Sequence, residues 1–123
     1  MHRIRISAGQ VTATATLNDS NTAAAIWDAL PITGEGMRWG DEIYFSIPVK
    51  ATPEKDAREI VAVGELGYWP PGTAFCIFFG PTPASTDNRP RAASAVNIIG
   101  RVVGDATVFK SVASGTRVKL ERA

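Results

Sequence analysis

Histidine and cysteine are almost missing from this chain: His2 and Cys76 are the only ones in 123 residues. With a single histidine at one end, no Ser-His-Asp triad or Cys-His dyad can be assembled from core positions. The same scarcity removes every metal-ligand spacing, so neither a metal nor a cofactor is expected. One cysteine cannot form an intramolecular disulfide, and a lone thiol fits a reducing compartment, which makes a cytoplasmic location the expectation. An excess of one charge is lacking too. The 13 Lys and Arg against 12 Asp and Glu leave +1, and such a field gives no pull toward nucleic acid or an anionic membrane. The opening MHRIRISAGQ has no apolar signal segment, and no run approaches the roughly 18 apolar residues of a membrane span. The glycines form no GxGxxG or P-loop pattern, and Gly34-Glu35-Gly36 reads as loop rather than phosphate cradle. There is no internal repeat and no linker, so one domain is expected, burying roughly two-thirds of its unfolded surface.

What is present is strand patterning. Ile4 and Ile6 alternate with Arg3, Arg5 and Ser7, and Val11–Leu17 alternates again after Ala8-Gly9-Gln10. This predicts a hairpin over His2–Thr16, with the two arginines guarding a sheet edge. Asn18-Asp19-Ser20-Asn21 is a helix-start cluster for Thr22–Leu30. Ala23, Ile26, Trp27 and Leu30 make one apolar face, and Pro31 ends the helix. So short a helix must dock, and the end of a sheet structure is the expected place. Thr33–Gly40, with three glycines, is expected to be a loop. Asp41–Val49 alternates strictly, with Ile43, Phe45, Ile47 and Val49 on one face and Glu42, Tyr44 and Ser46 on the other. Glu59–Val63 is β-rich, and Gly64–Gly67 reads as a turn. Ala74–Phe79 is an unbroken apolar run between glycines, the pattern of a strand buried on both faces. Gly80–Arg91, with three prolines, is a long loop. Ala95–Val103 and Arg117–Glu121 are further strands, and Val108–Val112 is either strand or a helical turn. About eight strands and one short helix predict a mainly β fold, a closed or nearly closed β-barrel.

The strongest candidate surface is the polar face of Glu42, Tyr44 and Ser46, which neighbouring strands can complete. Glu42 is the one well-placed carboxylate for acid or base work. Tyr44 and Trp69 favour ligand contact through rings with polar tips. The plain alternative is a solvated sheet face. Tyr68–Gly72 combines two aromatics with Pro70-Pro71, a rigid stretch able to form a groove rim. Asn97, polar between Val96 and Ile98, faces a pocket or has a buried partner, and Ser94 precedes it. Arg89 and Arg91 either clamp an anion or solvate the loop. Cys76, inside an apolar run with no basic neighbour, reads as packing.

Four segments together resemble a known family: Trp39-Gly40-Asp41-Glu42-Ile43-Tyr44-Phe45-Ser46, Gly67-Tyr68-Trp69-Pro70-Pro71-Gly72, Phe78-Phe79-Gly80-Pro81-Thr82-Pro83 and Ala93-Ser94-Ala95-Val96-Asn97-Ile98-Ile99-Gly100. They look like the small prokaryotic cyclophilin-like proteins, whose function is not established. The resemblance implies a closed eight-stranded β-barrel of cyclophilin type with one short capping helix. True cyclophilins carry an arginine in a Phe-His-Arg motif and a glutamine in a Gln-Gly-Gly motif, and neither motif stands here. The expectation is a barrel that binds a small ligand or peptide in an outer-face groove walled by Glu42, Tyr44, Ser46, Trp69, Phe78, Ser94 and Asn97, with Gly80–Arg91 as its edge. A divergent prolyl isomerase, using Tyr44 and Phe78 as a proline pocket and Arg38 or Arg89 on the amide, is the competing expectation. Pairing of edge strands between copies is a third.

Overall fold

The computed structural model describes the whole chain, Met1–Ala123. The elements run β1 (His2–Ala8), β2 (Val11–Leu17), α1 (Asn21–Ala29), β3 (Ile32–Arg38), β4 (Glu42–Ser46), β5 (Arg58–Ile60), β6 (Glu65–Trp69), β7 (Ala74–Phe78), β8 (Arg91–Val102) and β9 (Thr116–Arg122). Two 3-10 turns, Pro70–Gly72 and Ala106–Ser111, complete them. The strands bond in the order β2-β1-β9-β3-β4-β7-β6-β8, and β2 then pairs with β8, so eight strands form a ring. Every pairing is antiparallel. β5 lies outside the ring, paired with β8 alone.

Period-two patterning sends one face of each strand inward. Ile4, Ile6, Leu17, Ile43, Phe45, Leu66, Tyr68, Phe75, Ile77, Ile99, Val118 and Leu120 belong to one core of 24 buried residues. Helix α1 adds Ala23 and Ile26 to that core, and the Ala106–Ser111 turn adds Ala106 and Phe109. Ser20 caps α1 by accepting from the Ala23 N–H at 3.2 Å. β7 is buried along its whole length, as its apolar run predicts.

Three local expectations are corrected, and one that stood open between strand and helical turn is decided. Thr33–Gly40 is mostly strand, because Gly34 and Gly36 are spacers for the core rather than turn residues. A Cβ on Gly34 would sit 2.7 Å from the Phe45 ring, and one on Gly36 would sit 2.7 Å from Val118. β1 and β2 are not edges, since β1 lies between β2 and β9, and β2 between β1 and β8. Gly67 lies within β6 rather than in a turn, and the turn is at Val63-Gly64. The run around Val108 is a 3-10 turn, started by Asp105 accepting from the Thr107 N–H at 2.9 Å.

Candidate functional site

On the ring's outer face, β4, β7 and β6 place side chains side by side. Glu42 is paired with Phe78, Tyr44 with Cys76 and Ser46 with Ala74 across β4 and β7. Gly67 and Trp69 stand opposite Cys76 and Ala74 on β6. This outer face is partly covered. The first half of β8 leaves β6 and pairs with β5, Arg58 opposite Val96 and Ile60 opposite Arg91, making an arm over the sheet. Val61, Ala92 and Val96 from the arm form a second buried cluster with Ala74, Cys76 and Phe78. Gly67 leaves the room for it: a Cβ there would be 2.9 Å from Val96.

Between arm and ring lies a cavity of about 250 Å³, lined by Trp39, Glu42, Tyr44, Trp69, Ala92, Ala93 and Val96. Its walls are three aromatic rings and small apolar side chains, and Glu42 supplies its one formal charge. Glu42 is only 5% exposed, and its Oε1 is buried with no hydrogen-bond partner. Burial pushes the carboxyl up to about 7, against a smaller opposite pull from the neighbouring Cys76 thiol. Cys76 is itself raised, first by burial and then by the Glu42 charge. A carboxyl balanced near neutrality in an apolar wall can accept or donate a hydrogen bond, or pair with a cation.

Three of the seven expected site residues, Glu42, Tyr44 and Trp69, line this cavity. The other four do not. Ser94 sits behind the wall, where Trp69 Nε1 donates to its hydroxyl at 2.7 Å and so ties β6 to the arm. Phe78 is fully buried in the cluster underneath. Ser46 is exposed and donates to the Gly72 carbonyl. Asn97 is fully buried and donates to Thr22 Oγ1 at 3.1 Å and the Thr52 carbonyl at 3.0 Å. It also accepts from the Glu54 N–H at 2.8 Å. It therefore ties β8 to α1 and to the 52–54 segment.

The arginines of the isomerase expectation are engaged elsewhere. Arg38 donates to the carbonyls of Gly40, Lys110 and Val112, pairs with Asp41 at 3.2 Å and lies over the Phe79 ring. Arg89 pairs with Asp87 at 2.7 Å, and its hydrogen bond holds that carboxyl down at about 2. Arg91 pairs with Glu59 at 3.1 Å. The 80–90 loop is laced internally: Ser85 Oγ donates to the Arg89 carbonyl, and the Thr82 hydroxyl donates to that of Arg91.

Sequence reasoning did not include Trp39, Ala92, Ala93 and Val96 in the site. Trp39 had a signal, an aromatic three residues before Glu42 on a Gly-Asp turn. The turn is closed by the Trp39 N–H donating to the Glu42 carbonyl at 2.9 Å. Ala92 and Ala93 carried none, because a methyl group announces no chemistry. No group of three or more His, Cys, Asp or Glu could hold a metal, and no helix is long and apolar enough to cross a membrane.

The Cyclophilin-like family profile matches residues 2–121. The chain belongs to the cyclophilin-like family. Among solved structures it is similar to the hypothetical protein AF2241 from Archaeoglobus fulgidus. That similarity is 43% identity over 99% of this chain and 95% of that one, with a TM-score of 0.83. McbB, solved in complex with tryptophan, shares the cyclophilin-like chain's fold at 16% identity and a TM-score of 0.73. The alignment covers 97% of this chain and 44% of McbB. No curated protein matches the chain.

Proposed function

We propose that this cyclophilin-like protein is a closed eight-stranded β-barrel of cyclophilin type that binds a small molecule in the cavity between arm and ring. The observation that carries this reading is the cavity itself: three aromatic rings and one buried carboxyl, whose Oε1 has no hydrogen-bond partner, converge on about 250 Å³. Apolar walls with one placed polar group are the usual make-up of a small-ligand site. The covering arm favours a compact ligand over an extended peptide. Arg38 and Arg89, tied to carbonyls and carboxylates, weigh against prolyl isomerisation. The lone buried thiol supports a reducing, cytoplasmic setting.

The test is an NMR shift map of the protein against a metabolite library. Binders are expected to perturb Trp39, Tyr44, Trp69 and Ala92 together, and Tyr44→Ala should weaken them at least tenfold. Hits that map to another face, or that ignore Tyr44→Ala, would remove this reading. A protease-coupled prolyl-peptide assay is expected to show no rate above background.

A further inference from the structure

Glu42 Oε1 is the only buried side-chain nitrogen or oxygen without a hydrogen-bond partner in the protein. Native proteins rarely leave such a group unpaired, and when they do, an absent ligand is one physical explanation. The groups around it define what that ligand must bring. Trp39, Tyr44 and Trp69 offer rings whose faces are electron-rich and attract cations. No Lys, Arg or His lines the cavity, so nothing there balances an anion. The arm contributes Ala92, Ala93 and Val96, which neither donate side-chain hydrogen bonds nor carry charge. A missing donor, an acidic floor and aromatic walls coincide in one space.

We propose that the cavity takes a small organic cation, a protonated amine on a flat apolar body, with its ammonium against the Glu42 carboxylate. This rests on the reading of the cavity as a ligand site. The body lies among the three aromatic rings, and the ammonium supplies the donor that Oε1 lacks. Binding is coupled to a proton. Glu42 must be ionised to pair with the cation, and burial holds its carboxyl near 7, so binding the cation displaces a proton from the Glu42 population that carries one. The titratable groups facing Glu42 are few. Cys76 on β7 is raised and stays a thiol, Tyr44 shares the cavity wall, and the arm presents none. The adjacent Asp41 is turned to Arg38 and Lys110.

The test uses three matched probes on the whole protein: phenethylamine, its neutral analogue 2-phenylethanol and the anion phenylacetate. Dissociation constants come from NMR shifts of Tyr44 and Trp69. The amine is expected to bind at least tenfold tighter than the alcohol, and the acid not to bind. Between pH 6 and 8 the amine stays charged, so its affinity should rise about tenfold as Glu42 ionises. In Glu42→Gln the rise should vanish and the preference over the alcohol collapse. The comparison in the parent protein decides the matter even if that variant folds poorly. Alcohol or acid binding as tightly as the amine overturns the cation inference and leaves the ligand site standing. Absence of shifts at Tyr44 and Trp69 with all three probes overturns the inference and counts against the site as well.

Discussion

Trp69 Nε1 donates to Ser94 Oγ at 2.7 Å, and this bond joins the ring's outer face to the arm that covers it. It holds the Trp69 ring as a cavity wall. Ser94→Ala removes the acceptor from a half-buried indole N–H, which should lower stability by about 1 kcal/mol. Ser94→Thr keeps a hydroxyl and should recover most of it. Urea unfolding of the three proteins checks this, and equal midpoints for parent and Ser94→Ala would show that water replaces the serine at no cost.

Glu42 makes stability depend on pH in an unusual direction for a carboxylate. Its folded value of about 7 lies above the 4.5 of an unburied glutamate, so the native state holds more protons than the unfolded one between these values. Stability from this group is therefore fully present below 4.5 and is lost as pH rises through 7. The shift corresponds to a loss on the order of 3 kcal/mol. Of the groups that face it, the Cys76 thiol is itself held up by burial and stays protonated in that window. Denaturant midpoints measured from pH 4.5 to 8 should fall more steeply for the parent than for Glu42→Gln. Parallel curves would mean that Glu42 titrates as if exposed.

Asn97 ties β8 to α1 and the 52–54 segment and does not line the cavity. Asn97→Ala strands the Glu54 N–H and removes both donors to Thr22 and Thr52, for an expected loss of about 3 kcal/mol. The probes of the cavity should bind the folded variant with unchanged affinity. A loss under about 1 kcal/mol would show that water enters and satisfies these groups.

Gly100 stands where the ring closes, opposite Leu17 on β2 and Leu66 on β6. A Cβ there would lie 2.1 Å from the Thr16 carbonyl oxygen and 3.0 Å from Leu17 Cα, both backbone atoms that cannot swing aside. Gly100→Ala should destabilise by about 2–3 kcal/mol, read as a lowered thermal midpoint. A midpoint equal to the parent's would mean that β2 and β8 separate readily.

Much of this structure was legible in one dimension because its signals are local. Alternation at Ile4, Ile6 and again at Ile43, Phe45, Ile47 identified faces that do turn inward. The unbroken Ala74–Phe79 run identified the strand with a core on each side. The Asn18–Asn21 cluster and Pro31 bracketed α1, and the structure makes Ser20 its cap. Glu42, Tyr44 and Trp69, which the structure brings to one cavity, were legible as outer-face residues because polar and aromatic groups stood where the outer face of a strand should be. The cyclophilin-like family was legible for a different reason, the order of four motifs along nearly the whole chain.

Tertiary structure alone decided the rest. Gly34 and Gly36 look like a loop until Phe45 and Val118, distant in sequence, need the space their missing side chains leave. Asn97 and Ser94 look like pocket residues, yet the partners that claim them, Thr22 and Trp69, lie 75 and 25 positions away. The covering of Glu42 depends on an arm whose alanines carry no chemical signal of their own. Burial is a property of what folds over a residue, and that is why the chain could mark Glu42 as a carboxylate but only the closed ring and its arm could raise its pKa to about 7.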